Sequence, residues 1–245
     1  MTNSVKNFIS AYTPYLEEMR KKLIFLFVLF CIIFVAGFFL SGFLIRFFLD
    51  IFRIENVQVM VTSPFQFVGL AMNIGFFLAI MVALPLCVYG IFSFLKPALT
   101  QREKAKSILA IIASAFLFCI GSLFGFSVMY NALKIIAGFN FTLGISNLWD
   151  ITQFSSQVML TSVLMGVIFQ FPIILTVLIR CGIINRDDLR RKRRWAVLMA
   201  FILSALLPPT DGLSLLVMAL PIIFLFEITL LINRKHKPHQ VEAYA

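Results

Sequence analysis

Long runs of apolar residues, separated by short polar segments, make up most of this chain of 245 residues. Apolar runs that are nearly free of charge predict transmembrane helices, because ~20 residues of helix cross a bilayer. The backbone polar groups of such helices pair internally, where no water is available. The sequence therefore predicts an all-α polytopic membrane protein, a single integral membrane domain over 1–245 with six transmembrane helices at about 23–43, 66–94, 108–130, 158–179, 195–207 and 213–232.

Prolines, caps and glycines predict where several spans begin, bend or pack. Thr13-Pro14 predicts a helix that starts on the membrane surface, and the capping-box spacing of Ser63-Pro64-Phe65-Gln66 predicts the start of the second span. Pro172 predicts an interruption of the fourth span. Gly121-x-x-x-Gly125 has the spacing of close helix packing in membranes. The fifth span has only 13 residues, which make roughly 20 Å of helix.

Basic residues are distributed unequally between the two sides of the membrane that six spans define. Of the 21 Lys and Arg residues, 18 fall on the side that holds both termini. Because positive residues stay in the cytoplasm, the N- and C-termini are predicted to be cytoplasmic. The predicted cytoplasmic loops are 95–107 and 180–194, and the predicted outer loops are 44–65, 131–157 and 208–212. Topology and anionic lipid therefore explain the net charge of +10 more simply than nucleic acid does.

Composition and short motifs exclude several classes of protein. A chain that is 61% hydrophobic and 13% charged is not an ordinary soluble domain. The four cysteines are widely spaced and have no metal-ligand spacing, so we expect no disulfide framework, metal site or cofactor. The chain has no G-x-x-x-x-G-K-[ST], G-x-S-x-G or H-E-x-x-H motif, so we expect no enzymatic activity.

Two acidic residues in the cytoplasmic segments have two interpretations each. Glu103 ends a short polar stretch between two apolar runs, and Thr100-x-x-Glu103 has capping-box spacing. Glu103 therefore either caps the first turn of the helix that follows or binds a cation supplied by another molecule. Glu18 and Lys22 have the i,i+4 spacing of a helix-surface pair. Glu18 is therefore either such a surface charge or a second cation-binding acid.

Polar residues inside the predicted spans suggest a transport function. Such residues are costly in lipid, and Gln170 and Glu227 are two of them. A proton- or ion-coupled secondary transporter is therefore an alternative function, although the internal repeat expected of many transporters is not evident. Gln170 is interpreted either as the hydrogen-bond partner of a carbonyl freed by Pro172 or as a functional group. Glu227 is interpreted either as a structural residue, protonated or paired within the chain, or as a functional group. Asp211 is interpreted as a turn residue or a helix cap.

Seven short motifs occur in order along the chain. They are Leu16-Glu-Glu-Met-Arg-Lys-Lys-Leu23, Ser63-Pro64-Phe65, Phe94-x-x-Pro97-x-Leu99-x-x-x-Glu103, Phe118-x-x-Gly121-x-x-Phe124, Gly166-x-x-Phe169-Gln170-x-Pro172, Asp188-Leu-Arg-x-Lys-Arg and Pro209-Thr-Asp211-x-x-Ser214. In order and spacing they resemble the motifs of the twin-arginine translocase C-subunit (TatC) family along nearly the whole chain. Tyr15 and Thr100 stand where that family usually has His and Tyr.

The resemblance implies a function in protein export. It implies a signal-peptide receptor and core scaffold of the twin-arginine protein translocase, which binds the twin-arginine signals of folded proteins at its cytoplasmic face. It also implies that the proton-motive force drives export across the cytoplasmic membrane of a bacterium, or across an organellar membrane of bacterial origin. The implied partners are single-span subunits of the TatA/TatB type and further copies of the chain within a hetero-oligomeric complex.

The resemblance also implies the residues of the site. Arginine pairs bidentately with carboxylates, so Glu18 and Glu103 are predicted partners of the signal's arginines. The resemblance favours Gln170 as a polar dock for a partner's membrane helix, with Glu227 as a second intramembrane polar residue. The implied signal-peptide site is Glu18, Arg20, Phe94, Pro97, Leu99 and Glu103, and the implied outer turn contains Pro209 and Asp211.

Overall fold

The computed structural model describes residues 2–52, 57–95, 101–180 and 184–234, and the side chains of residues 17, 20–52, 57–88, 90, 112–180 and 184–234. Nearly all of these residues are helical. The strands within them are β1 (Val57–Met60) and β2 (Asn147–Asp150). The helices within them are α1 (Thr2–Phe39), α2 (Ser41–Ile51), α3 (Gln66–Leu95), α4 (Gln101–Thr142), α5 (Ile151–Ile168), α6 (Phe171–Arg180), α7 (Arg186–Arg191), α8 (Arg193–Leu206) and α9 (Gly212–Ile232).

Five helical stretches in the described part of the chain are long and apolar enough to cross a membrane. Each coincides with one of the predicted spans, so the all-α polytopic architecture is confirmed. The remaining predicted span corresponds to α8, whose 14 residues make roughly 21 Å of helix. The five stretches are Arg20–Phe39, Gln66–Val88, Ile112–Thr142, Ile151–Arg180 and Gly212–Ile232.

The fourth span is broken where the sequence predicts an interruption. The turn Phe169-Gln170 separates α5 from α6, and Pro172 is the second residue of α6. Proline has no backbone N–H to donate to the preceding turn, and its ring crowds the carbonyl four residues earlier. The break therefore has a local cause.

Two segments that are predicted as outer loops contain regular structure, and the pattern of the first, over 44–62, also suits an interfacial helix. The segment 44–65 contains most of α2 and all of β1, and the segment 131–157 contains the end of α4, β2 and the start of α5. The two strands pair in parallel, with Val57 opposite Asn147 and Met60 opposite Asp150. The sheet satisfies backbone groups that an irregular loop beside lipid would leave unpaired. Strands of four residues, paired with a distant segment, leave no periodic pattern in the sequence.

Glycine allows the backbones of α4 and α5 to come into close contact. A Cβ atom added at Gly121 would lie 2.8 Å from the carbonyl oxygen of Met165, and one added at Gly125 would lie 2.8 Å from that of Thr161. On the facing helix, a Cβ atom added at Gly166 would lie 2.8 Å from Cε2 of Phe118. The close packing predicted from Gly121-x-x-x-Gly125 is therefore confirmed.

A second glycine contact joins α1 to α3. A Cβ atom added at Gly37 would lie 2.8 Å from Cα of Gly75, and one added at Gly75 would lie 2.7 Å from the carbonyl oxygen of Phe34. Gly37 lies close to the end of α1, whereas Gly75 lies in the first third of α3. Because the two helices pack side by side from these points, they run antiparallel.

An aromatic cluster holds together the end of the bundle that carries the sheet. Phe52, just after α2, is 5% exposed. Its ring centroid lies 4.8 Å from that of Phe126 and 5.5 Å from that of Tyr130, both in α4, and 5.0 Å from that of Phe154 in α5. Trp149 of β2 packs on Phe154 with a centroid distance of 5.7 Å. Edge-on and offset contacts of this kind stabilise beyond simple burial.

Gly121→Ala is expected to destabilise the protein, because its methyl group would overlap the carbonyl oxygen of Met165. Overpacking of this kind costs about 1–3 kcal/mol. The midpoint of thermal unfolding in detergent measures the effect. Gly138→Ala on the same helix is the matched control, because nothing lies within 4 Å of the added Cβ atom. Equal midpoints for the two variants would contradict the close contact between α4 and α5.

Candidate functional site

Four of the six residues predicted to bind a signal peptide are described, and they lie at the end of the bundle where α3 ends and α4 begins. Glu18 lies in α1, Phe94 is the last residue but one of α3, and Glu103 is the third residue of α4. The side chains of these three residues are outside the described part, while Arg20 of α1 is exposed. Two further residues of the predicted site lie outside the described residues altogether, Pro97 and Leu99.

Helix geometry puts the backbones of Glu18 and Phe94 at a similar position along the axis of the bundle. The antiparallel helices α1 and α3 meet at Gly37 and Gly75. Glu18 precedes Gly37 by 19 residues and Phe94 follows Gly75 by 19 residues, and each interval is roughly 28 Å of helix. Glu103 lies near the start of α4, shortly beyond the end of α3. All three helix positions are therefore at the end of the bundle opposite to the sheet.

Glu227, predicted as a polar residue within a span, forms an ion pair. Its Oε2 lies 3.0 Å from Nη2 of Arg193, the first residue of α8, and the two side chains are 39% and 48% exposed. Close by, Nε of Arg186 donates a hydrogen bond of 3.1 Å to the carbonyl oxygen of Leu230. Glu227 is thus paired within the chain, in agreement with one of its interpretations. The pair fixes the start of α8 against α9.

Gln170 is buried between α4 and α6, which differs from the docking role suggested for it. The side chain is 3% exposed. Its Nε2 donates to the carbonyl oxygen of Ser114 at 2.9 Å, and its Oε1 accepts from Oγ of Ser114 at 2.6 Å. Both polar ends of the amide are therefore used within the chain. In this structure Gln170 has no exposed polar group, and its donor bonds α4 instead of the carbonyl freed by Pro172. The docking role of Gln170 stays a prediction.

The outer turn connects α5, α8 and α9. Asp211 is the N-cap of α9, since its Oδ2 accepts a hydrogen bond of 2.9 Å from the backbone N–H of Ser214. The cap interpretation of Asp211 is therefore confirmed. Oγ1 of Thr161 in α5 lies 2.8 Å from the carbonyl oxygen of Pro208. Pro209 follows it through a cis peptide bond.

Asp150, at the end of β2, is the most highly connected carboxylate in the described residues. Its Oδ1 accepts from the backbone N–H groups of Thr152 at 2.9 Å and Gln153 at 3.0 Å, which makes it the N-cap of α5. Its Oδ2 accepts from Oγ1 of Thr62 and from Nε2 of Gln66. Asp150 therefore ties the start of α5 to the start of α3.

These bonds change the acidity of Asp150. Its pKa is lowered from the ordinary value of 3.8 to about 2, chiefly by the hydrogen bond from the Thr62 side chain, and further by those from the Gln153 backbone and the Gln66 side chain. Each donor stabilises the ionised carboxylate.

The side chain of Gln66 is itself held in place by hydrogen bonds. Its Oε1 accepts from the backbone N–H of Thr62 at 2.7 Å and from that of Ser63 at 3.4 Å. The Gln66 side chain therefore accepts the hydrogen bond from the Ser63 backbone N–H that the capping-box spacing predicts. The bond that it accepts from the Thr62 N–H is shorter.

Comparison with known sequences decides the family. Residues 14–221 match the sequence model of the family described as Sec-independent protein translocase protein (TatC). The chain belongs to the TatC family. It is accordingly a multi-pass membrane protein of Sec-independent protein translocation.

Individual TatC proteins resemble the chain over most of its length. The Sec-independent protein translocase protein TatC of Aquifex aeolicus is 27% identical over 226 residues, which are 91% of this chain and 94% of that protein. The TatC protein of Halothiobacillus neapolitanus is 33% identical over 181 residues, which are 73% of this chain and 48% of that protein. This match therefore spans about half of that relative. A crystal structure of the "Twin Arginine Translocase Receptor- TatC" has a TM-score of 0.75 and 28% identity, covering 89% of this chain and 98% of that one.

The role of Asp150 was not predicted, although the sequence carries a signal for it. Asp150-Ile-Thr-Gln153 has an N-cap residue followed three positions later by Gln, which is the spacing of a helix start. The signal was overlooked because 131–157 was interpreted as a loop. The bonds from Asp150 to Thr62 and Gln66 have no local signal at all, because they join segments that are more than 80 residues apart.

Low pH is expected to weaken the Asp150 contacts. Because the pKa of Asp150 is lower in the folded protein than in the unfolded chain, its contribution to stability is complete above about pH 4 and is lost as the pH falls through about 2. Thermal midpoints in detergent, measured at intervals from pH 6 to pH 2, should fall for the unmodified chain in this window. Asp150→Asn should have a lower midpoint at pH 6 and a smaller change towards pH 2.

Asp50→Asn is the matched control, because Asp50 is an exposed carboxylate on α2 near the same end of the bundle. This variant should follow the unmodified chain over the whole range. An unchanged pH dependence in Asp150→Asn would show that Asp150 does not stabilise the contact between β2, α3 and α5.

Proposed function

We propose that this TatC protein is the signal-peptide receptor and core scaffold of a twin-arginine protein translocase. It binds the twin-arginine signals of folded proteins at its cytoplasmic face and recruits single-span subunits of the TatA/TatB type. Further copies of the chain join the same hetero-oligomeric complex in the cytoplasmic membrane of a bacterium. The proton-motive force supplies the energy, and the chain itself catalyses no reaction.

The observation that carries this proposal is the location of two motif acids at one end of the bundle. Glu18 and Glu103 belong to helices that are far apart in sequence, yet their backbone positions lie at the same end. Both acids match positions of the motifs shared with the TatC family. Two carboxylates at one end suit a ligand with two adjacent arginines, because each guanidinium pairs with a carboxylate through two parallel N–H donors.

The charge of the surrounding segments makes these acids necessary for binding. Under the predicted topology, 18 of the 21 Lys and Arg residues lie on the cytoplasmic side. Such a surface repels an arginine-rich signal at long range and attracts anionic lipid. Local carboxylates therefore provide the attraction that selects the signal.

The secondary-transporter alternative receives less support from the geometry. It depended on polar residues available within the spans. Gln170 is buried and bonded to Ser114, and Glu227 is paired with Arg193. Neither side chain is left free to bind a transported ion. Gln170 would have to break its bonds to Ser114 before it could bind a partner subunit.

Glu103→Lys is expected to abolish the specific binding of a twin-arginine signal peptide, because it replaces an attractive charge with a repulsive one. Glu18→Lys should weaken binding as well. Hydrogen bonds to charged groups contribute about 1.5–3 kcal/mol, so the dissociation constant should rise about tenfold or more. Fluorescence anisotropy of a labelled peptide, titrated with purified chain in detergent, measures this constant.

Glu17→Lys is the matched control, because Glu17 is the neighbour of Glu18 on the same helix but points roughly 100° away. It changes the net charge by the same amount and should bind the peptide nearly as the unmodified chain does. A peptide with two lysines in place of the arginines should bind weakly to every variant. Normal arginine-pair binding in both Glu103→Lys and Glu18→Lys would overturn the receptor assignment.

A further inference from the structure

The bend that joins α7 to α8, over residues 190–194, carries a cluster of cations that the function proposed above does not use. Within this basic bend, Arg193 forms an ion pair with Glu227. The side chains of the other four residues are exposed and form no ion pair or hydrogen bond with the described part of the chain. These four residues are Arg190, Arg191, Lys192 and Arg194. The basic bend therefore has positive charge available for an anionic ligand.

The basic bend is recessed from the end of α9 towards the bilayer. Glu227, the partner of Arg193, precedes Ile232, the last residue of α9, by five residues, which is roughly 8 Å of helix. The start of α7 is also held beside α9, because Nε of Arg186 donates to the carbonyl oxygen of Leu230 at 3.1 Å. The start of α8 therefore lies about two turns short of the end of α9.

The neighbouring helix α6 also extends past the basic bend. Nδ2 of Asn233, just after α9, donates to Oγ1 of Thr176 at 3.1 Å, and Arg180 ends α6 four residues later. Both helices run towards the cytoplasm in the predicted topology, so both project beyond the start of α8. The 21 residues of α9 make roughly 31 Å of helix, which matches a hydrocarbon core of ~30 Å. The start of α8 therefore lies beside lipid, at or below the level of the phosphate groups.

An exposed apolar stripe continues from the cations along α8. Its residues have the spacing of one helix face, and they are Trp195, Leu198, Met199 and Ile202. Trp195 is 67% exposed, and tryptophan prefers the interface between membrane and water. Arg194 precedes Leu198 by four residues, so the two side chains are neighbours on the helix surface. The sequence of a cation and then apolar surface matches the headgroup and acyl chain of an anionic phospholipid.

Charge complementarity favours a lipid phosphate as the ligand of the basic bend. The guanidinium groups of arginine pair with phosphate through two parallel N–H donors. Anionic lipids of the cytoplasmic leaflet attract basic residues beside a membrane helix. A free phosphate has no apolar part for the stripe on α8, and a zwitterionic lipid has no net negative charge. An anionic phospholipid supplies both the charge and the acyl chain at the right depth.

We propose that the basic bend binds one anionic phospholipid of the inner leaflet. The phosphate pairs with Arg194, together with Arg191 and Lys192, and one acyl chain lies against Trp195 and Leu198. The inference requires only that the chain spans a bilayer in the predicted orientation, and it is independent of the receptor role. It assigns a specific ligand to a basic segment whose charge otherwise only sets the topology.

Native mass spectrometry of the full chain, purified in detergent and depleted of lipid, tests the proposal. Phosphatidylglycerol, phosphatidylethanolamine and phosphatidylcholine with identical acyl chains are added in separate titrations. Phosphatidylglycerol should bind about fivefold more tightly or better than the other two, because each nearby cation contributes about that factor towards an anionic lipid. Arg194→Gln should lose about fivefold in affinity for phosphatidylglycerol. Arg194→Lys keeps the charge and should bind this lipid more tightly than Arg194→Gln.

Arg234→Gln is the matched control, because Arg234 is an exposed cation on the same side of the membrane that lies beyond the end of α9. It removes the same charge and should leave the binding of phosphatidylglycerol nearly unchanged. Equal binding of the three lipids by the unmodified chain, or equal losses in Arg194→Gln and Arg234→Gln, overturns the proposal. Displacement of the lipid by an equal concentration of glycerol 3-phosphate would assign the basic bend to free phosphate instead. Weaker crosslinking of a single-span partner in Arg194→Gln with unchanged lipid binding would assign it to protein.

Discussion

The close contact between the backbones of α4 and α5 is the interaction on which the rest of the bundle depends. Lipid tails are as apolar as the side chains of the helices, so the hydrophobic effect does not drive these helices together. Close packing and buried hydrogen bonds take its place. Because Gly121 and Gly125 have no side chains, α5 approaches α4 closely enough for Met165 to be fully buried between them. The same approach brings Gln170 within bonding distance of Ser114.

The sheet end of the bundle and the contact of α8 with α9 are stabilised in different ways. At the end with the sheet, Asp150 joins α3 to α5 and the rings around Phe52 pack tightly. Where α8 packs against α9, the Arg193–Glu227 ion pair is partly exposed. The end with the sheet therefore relies on packed rings and a carboxylate with several hydrogen bonds, whereas the contact of α8 with α9 includes a partly exposed ion pair.

The sequence predicted those features that depend on local patterns. The apolar runs predicted the spans, Pro172 predicted the break in the fourth span, and the Asp211 cap was one of two interpretations. Features that depend on contacts between distant residues were missed. The pairing of β1 with β2 and the bonds of Asp150 to α3 join segments far apart in the chain. Gln170 shows the same limit, because its polarity was evident in the sequence but its partner, Ser114, lies 56 residues away.

In the proposed function, the end of the bundle carrying Glu18 and Glu103 binds two adjacent arginines. Site-specific photocrosslinking measures this most directly, with a photoreactive residue at Gln101, the first residue of α4, and a second at Ser63, near the opposite end. A twin-arginine signal peptide is expected to crosslink at position 101 and not at position 63, and the lysine-pair peptide is expected to crosslink much less. Equal crosslinking of the two peptides at position 101, or of the arginine-pair peptide at both positions, would contradict the proposed function.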